Sequence, residues 1–489
     1  MENPKSKGVS LLIALLCVHA PSHETSASPR PNIILTIADN LGYGDIGPFN
    51  PECPHRTPHL DRMAAEGIRL TSFYSTAPVC TPSRASFMTG CYPRRVGLHI
   101  DENGPPVLTA VSPRGIHADE LTLAELLRAQ GYATAIVGKW HLGDQPPFLP
   151  RKHGFDSFFG LPYSEDMDTA PARPHMAARP ALPLIENETV IEAPPDRNLL
   201  TKRFTERAIK FITTHKDKPF FLYLPQTMPG STTTYFASEN FLGKSANGRY
   251  GDAVEELDWS AGEIFKTLKD LGIDDNTLVI WTSDNGAILR KNSDGHGICK
   301  PLKGMAYSTD EGGMRMPFLA RWPGQIPAGI STDELTSAMD LLPTFMKLAG
   351  GDAPTDRVID GHDIRPLLFG EKGAKSPTEF FHYYFMSQLQ AVRSGPHKLY
   401  LPLEAKWTNF QGQGAGPVPA RLYDLRLDLQ EENELSASHP DIVARLQAAA
   451  EKARETLGDL NRPGTQQRPA GHYENPRPLW LRKVEHRPQ

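Results

Sequence analysis

Four short stretches of this 489-residue chain carry side chains that could do chemistry together. The longest begins Cys80-Thr81-Pro82-Ser83-Arg84 and runs on through Thr89-Gly90 to Tyr92-Pro93-Arg94-Arg95. Pro82 suits the first turn of a helix, where its missing N–H would be unpaired anyway, and Gly90 is a natural stop. This places Cys80 just ahead of a helix N-terminus, a site of partial positive charge and free N–H groups that suits an anion. On the cysteine and arginine alone, a structural cysteine before an ordinary helix explains the pattern equally well. The other stretches are Asp39-Asn40, Lys139 with His141, and Asp284-Asn285. They bring carboxylates, amides, an ammonium and an imidazole, and Asp39, Asp284 and Asn285 supply the hard oxygens that a divalent cation needs. Asp-Asn pairs are also common turn chemistry.

The elements around them decide between these readings. Asn32 to Ala38 is an isoleucine-rich apolar run bounded by Pro31 and Asp39, which predicts a buried parallel strand. Tyr132 to Val137, Phe220 to Leu224, Thr277 to Thr282 and Pro317 to Trp322 read as further strands. A short helix is predicted from Thr57-Pro58 to about Gly67. Thr122 and Glu125 form a capping box ahead of Leu123, Leu126 and Leu127. Val254, Leu257, Ala261, Ile264, Leu268 and Leu271 mark one face of a helix closed by Gly272. Alternating strand and helix predicts a mostly parallel sheet covered on both faces. Asp39-Asn40, Lys139 with His141, and Asp284-Asn285 all fall just past the carboxyl end of a predicted strand, the edge where open α/β sheets bind ligands. From about Pro377 the pattern changes to short strands at Phe380 to Phe385, Lys398 to Leu401 and Leu422 to Leu425, followed by a helix from Pro440 to about Leu457.

The string C-T-P-S-R, followed by T-G and Y-P-x-R, resembles the signature of the type I sulfatases, of arylsulfatase or N-acetylgalactosamine-6-sulfatase type. The resemblance spans roughly Pro31 to Leu460. It implies an alkaline-phosphatase-like α/β sandwich with a large, mostly parallel central sheet and a smaller C-terminal α+β subdomain. It implies that a maturation enzyme oxidises Cys80 to Cα-formylglycine, whose hydrated aldehyde is the nucleophile. It assigns a calcium ion to Asp39, Asn40, Asp284, Asn285 and residue 80. Arg84 matches the arginine that holds the formylglycine and its metal. Lys139 and His141, in G-K-W-H-L-G, match the residues that orient the hydrate, and His141 is the base that releases sulfate. Three departures stand out. Asn40 replaces the second of two usual aspartates. Gly230, after Met228-Pro229, stands where the family has a histidine that contacts sulfate and is a candidate acid for the leaving group. Ala306 stands where the family has a sulfate-binding lysine; Lys303 and His296 are the nearby candidates to bind substrate beside Lys139. The expected function is hydrolysis of a carbohydrate or aryl sulfate ester, impaired by Gly230 and Ala306. The alternative is a sulfatase-like binding protein with little or no turnover. A related phosphoesterase is disfavoured by Cys80 in place of a serine, a threonine or a zinc-ligand set. Loops Asp101 to His117 and Tyr163 to Pro194 are expected to rim the pocket.

The net charge of −5 argues against a nucleic-acid partner. Lys5 and Lys7 precede an apolar run, Leu11 to Val18, with small residues at Ala20 and Ser26-Ala27-Ser28: a secretory signal too short to span a bilayer. The expectation is a secreted or periplasmic protein, off the membrane once the signal is removed, divided into a signal at 1–29, a catalytic domain at 30–375 and a C-terminal subdomain at 376–489 whose Pro- and Arg-rich tail is poorly ordered. Asn187-Glu188-Thr189 is a glycosylation sequon. With Cys17 in the signal and Cys80 converted, Cys53, Cys91 and Cys299 allow at most one disulfide.

Overall fold

The computed structural model describes residues 1–2, 30–102, 104–168, 179–230, 234–289, 294–408 and 414–479. Thus the signal segment, part of the second rim loop and the last ten residues lie outside the described residues. The large layer is a ten-stranded sheet. In chain order its strands are β1 (Asn32–Asp39), β2 (Ile68–Leu70), β3 (Ala133–Lys139), β4 (Ser157–Leu161), β5 (Leu184–Glu186), β6 (Thr189–Glu192), β7 (Phe220–Pro229), β8 (Thr277–Ser283), β9 (Phe318–Arg321) and β10 (Ile330–Thr332). Their spatial order is β10-β2-β9-β8-β1-β7-β3-β4-β5-β6. The five strands from β8 to β4 are parallel, while β9 joins β8 antiparallel and β5 joins β4 antiparallel.

Both faces are covered, as the apolar run of β1 demands. Ile33, Leu35 and Ile37 point into one core with α2 (Cys80–Thr89), α3 (Leu123–Ala129) and α6 (Leu341–Leu348). Ile34 and Ala38 point into the other with α1 (Pro58–Glu66), α4 (Leu200–His215) and α5 (Gly248–Asp270). That alternation is the strand period of two. Every residue of the α5 stripe from Val254 to Leu268 is buried, and the Thr122–Glu125 capping box forms. The signature helix begins at Cys80 itself rather than after it, so Pro82 is its third residue, and Gly90 closes it at φ 67°.

The second layer is an antiparallel sheet of β11 (Phe381–Phe385), β12 (Gln388–Ser394), β13 (His397–Tyr400) and β14 (Arg421–Asp424), covered by α7 (Pro440–Leu457). Residues 461–479 are not the loose tail that their composition implies. Gly471–His472 pairs with Arg114–Gly115, and Arg468 forms an ion pair with Glu120 at 2.6 Å. The four described cysteines are free thiols. No helix among the described residues is long and apolar enough to cross a membrane.

Candidate active site

Because β8, β1, β7 and β3 are neighbours, their carboxyl ends deliver Asp284, Asp39, Gly230 and Lys139 side by side. The backbone ties these ends together: the Gly230 N–H donates to the Asp39 carbonyl (2.8 Å), and the Asp284 N–H to the Ala38 carbonyl (3.1 Å). Arg84 reaches them from one turn into α2. Its Nε donates to Asp284 Oδ2 (2.9 Å) and its two terminal nitrogens to the Lys139 carbonyl (2.7 Å) and Asp39 Oδ1 (3.3 Å). One guanidinium therefore clamps three strand ends. Lys139 Nζ donates to both oxygens of Asp39 (2.9 and 2.7 Å) and to Ser164 Oγ (3.1 Å). All of these side chains are buried; Cys80, at the head of the helix, keeps 6% exposure.

Burial raises the Asp39 pKa, but Lys139 and Arg84 outweigh it and hold the carboxyl below its usual range. Asp284 is pushed up by burial and by the charge of Asp39. A buried carboxyl whose proton affinity is raised by a neighbouring carboxylate is the condition that a bound cation relieves. Ligand atoms of Asp39, Cys80 and Asp284 lie within 4.8 Å of one another. Asn40 Oδ1 is 3.8 Å from Cys80 Sγ and accepts a hydrogen bond from Asn285 Nδ2. Asn285 Oδ1 is buried with no hydrogen-bond partner among the described residues. This hard-oxygen set fits a calcium-like ion. Asn40 has φ 55°, left-handed backbone that asparagine tolerates.

Cys80 is not a ready nucleophile as a thiol. Burial pushes its pKa well up; Lys139 and Arg84 pull it down, Asp39 and Asp284 push it further up, and burial decides the direction. His141 sits at φ 63° with Nε2 3.0 Å from the Leu108 carbonyl. A carbonyl only accepts, so Nε2 carries the hydrogen and Nδ1 is the bare lone pair. Nδ1 is buried and has no partner among the described residues. Burial, Lys139 and Arg84 hold the imidazole neutral. Thr81 ties the two backbones together: its hydroxyl donates to the His141 carbonyl (3.0 Å) and accepts from the Leu108 N–H (3.1 Å).

Two residues expected to bind substrate lie elsewhere. Lys303 turns toward the C-terminal layer, donating to the Glu431 carbonyl (3.3 Å) and lying 5.8 Å from the Tyr423 ring centroid. That carbonyl and ring satisfy its ammonium, so it leaves the strand ends. His296 is exposed, and its backbone exchanges hydrogen bonds with the Asn247 side chain at the start of α5. Ala306 is buried, its N–H bonded to the Ala287 carbonyl (2.9 Å). Gly230 has φ 77°, and a Cβ there would fall 2.6 Å from Glu165 Oε1 and 2.8 Å from the Thr227 carbonyl oxygen. A histidine at this point would be strained and would displace the Glu165 carboxyl. Ser164 and Glu165, which sequence reasoning missed, stand in its place beside Lys139; S-E-D after a strand reads as an ordinary turn, and only burial sets it apart.

Comparison with known proteins agrees with this geometry. The sulfatase family profile matches residues 31–351, and that of the N-sulphoglucosamine sulphohydrolase C-terminal region matches 306–456. The chain is 36% identical to the steryl-sulfatase of Rattus norvegicus, with 88% of this chain and 90% of the relative covered. It is 41% identical to the N-acetylgalactosamine-6-sulfatase of Mus musculus, covering 81% and 76%, and 41% identical to the arylsulfatase A of Bos taurus, covering 76% and 75%. The crystal structure of a sulfatase from Pseudoalteromonas sp. superposes with a TM-score of 0.75 at 27% identity, over 87% of this chain and 91% of that one. With its strand ends clamped by the arginine of the C-T-P-S-R helix, and with these relatives, the chain belongs to the sulfatase family.

Proposed function

We propose that the protein is a calcium- and formylglycine-dependent sulfatase that releases sulfate from a carbohydrate or aryl sulfate ester. The observation that carries this reading is the Arg84 clamp, which gathers Asp39, Asp284 and Lys139 at the residue where the family forms its nucleophile. Converted to Cα-formylglycine by a maturation enzyme, residue 80 supplies a hydrated aldehyde oxygen. Asp39, Asn40, Asp284 and Asn285 would hold the calcium ion, which supplies positive charge beside the sulfuryl oxygens.

The chain's own residues do the rest. Arg84 and Lys139 keep the Asp39 carboxylate ionised and oriented. The bare Nδ1 of His141 takes a proton at the step that frees sulfate, and a neutral imidazole is the form able to do so. The N-terminal N–H groups of α2 add partial positive charge to an anion beside residue 80. On the leaving-group side Gly230 and Ala306 offer no basic group. Loss of a general acid is worth about 10²–10⁴ in rate and loss of a charge-stabilising contact about 10²–10³, and such effects do not multiply. Those two positions favour the second reading, a sulfatase-like protein that binds sulfated ligands with little turnover. The segment before residue 30 suits export, so the work would be done outside the cytoplasm.

The deciding experiment co-expresses the chain with a maturation enzyme, weighs the Cys80 peptide by mass spectrometry and assays sulfate release from an aryl and a sugar sulfate. Conversion with release supports the enzyme. Conversion without release from either ester supports the binding protein. A peptide that keeps its thiol throughout sinks the formylglycine reading.

A further inference from the structure

Glu165 lies in the turn after β4 and is fully buried. Its Oε2 is 3.1 Å from Ser164 Oγ, which in turn accepts from Lys139 Nζ at 3.1 Å. An ammonium can only donate, so the Ser164 hydroxyl points its hydrogen at Oε2. The proton of a neutral Glu165 therefore belongs on Oε1. That oxygen is buried, has no hydrogen-bond partner among the described residues and lies against Gly230, where a Cβ would sit 2.6 Å away. Gly230 ends the strand next to Asp39 and holds the position at which the family places its leaving-group histidine. The missing side chain is what makes room for the carboxyl.

Resting on the sulfatase reading, we propose that Glu165 is the general acid for the departing alcohol, taking over from the absent histidine through the space that Gly230 leaves open. As the oxygen nucleophile at residue 80 bonds to sulfur, the bond from sulfur to the ester oxygen breaks and its electron pair stays on that oxygen. The ester oxygen takes the proton from Oε1, giving the alcohol and a Glu165 carboxylate, which regains a proton from water after the alcohol leaves. The groups facing Glu165 suit the task. Burial and the carboxylates of Asp166 and Asp39 favour its protonated form, and Lys139, reached through Ser164, steadies the carboxylate once formed.

The test uses the full chain with Cys80 converted and compares wild type with Glu165→Gln, which keeps the shape and a partner for Ser164. Two esters are used: 4-nitrophenyl sulfate, whose leaving group departs without a proton, and a sugar sulfate, whose alkoxide does not. The variant should lose on the order of 10²–10⁴-fold in kcat on the sugar sulfate and less than about tenfold on the nitrophenyl ester. Equal losses on both would mean that Glu165 only positions Lys139 and would overturn the proposal, as would no loss on either. An infrared difference spectrum, wild type minus variant at pH 7, gives a second reading independent of turnover. It should show a protonated carboxyl band that shifts in D2O, and its absence overturns the proposal. A converted wild type that cleaves neither ester overturns the sulfatase reading as well; an active wild type with equal losses overturns only the role of Glu165.

Discussion

The chain buries two clusters of charge that look alike in composition and differ in what they leave unanswered. One is at the strand ends: Asp39, Arg84, Lys139 and Asp284. The other is at the seam between the two layers. There Lys398 Nζ donates to Glu311 (2.9 Å) and the Thr309 carbonyl (3.0 Å) and pairs with Glu431 at 3.1 Å. Its ammonium also lies between the rings of Tyr383 and Tyr400. Tyr74 and Tyr383 donate to Glu311, and Arg393 donates to Tyr74. At the seam each charge faces an opposite charge or a ring face. At the strand ends, His141 Nδ1, Asn285 Oδ1 and Glu165 Oε1 have no hydrogen-bond partner among the described residues. Buried ion pairs alone are thus a poor marker of function. A missing hydrogen-bond partner is not enough either, since both Glu431 oxygens and Arg315 Nη1 at the seam lack one among the described residues; what sets the strand ends apart is that an imidazole, an amide and a carboxyl so left stand together at the ligand-binding edge of the sheet.

The strongest way to break this contrast is to remove one cation from each cluster. Arg84→Met and Lys398→Met should each destabilise the fold by about 3–5 kcal/mol, since both strand a buried carboxylate. Denaturant melts check this. Only Arg84→Met should also abolish sulfate release per folded molecule. A comparable loss of turnover in Lys398→Met would join the seam to the active site.

Next in size is Gly230→Ala. The new Cβ meets Glu165 Oε1 at 2.6 Å at a backbone φ of 77°. It should cost about 1–2 kcal/mol in backbone strain and push the carboxyl away, lowering sugar-sulfate turnover roughly 10²-fold. Full turnover with a displaced Glu165 would argue that the carboxyl plays no part. A histidine at this position would meet the same two oxygens with its Cβ and should likewise displace Glu165.

The sheet was readable because its strands are apolar runs cut by Pro, Gly and Asp-Asn, and polar pairs just past such runs fall at the ligand-binding edge by topology alone. The C-terminal helix was equally plain, with Pro440 at its start and Gly458 past its end. β12 was not. Gln388, Gln390 and Arg393 read as a surface stretch, yet they are buried because Gln390 meets Thr309 and Arg393 meets Tyr74 across the seam. Lys303 was misplaced for a related reason: one-dimensional spacing cannot show that a carbonyl of the second layer captures its ammonium. Glu165 was invisible because its role depends on a glycine 65 positions later in the chain.

A smaller effect sharpens the strand-end side. Asn40→Asp adds a negative ligand at a φ of 55°, which aspartate also tolerates. Calcium titration by calorimetry should show roughly tenfold tighter binding, about 1.4 kcal/mol. Unchanged or weaker binding would place the ion away from Asn40.

The smallest effect appears only in acid and belongs to the seam. Burial alone would raise Glu311, but Lys398, Arg315 and Arg393 outweigh it and hold the carboxyl below its ordinary value of 4.5. A carboxyl lowered by folding gives stability that is fully present above the unfolded value and is lost as pH falls through the folded one. Wild-type stability, measured by urea melts with calcium held constant, should therefore show no contribution from Glu311 to its pH dependence between pH 7 and 5 and a growing loss below 4.5. In Lys398→Met the main opposing charge is gone, so the Glu311 carboxyl titrates nearer its ordinary value and its part of the acid loss is smaller and is complete at a higher pH. Lys398 also faces Glu431, so the difference between the two curves reports on these two carboxyls, the acids that Lys398 pairs with. Curves that run parallel down to pH 3 would mean that Lys398 does not set the charge of Glu311, and the contrast between an answered seam and an unanswered strand end would lose its electrostatic half.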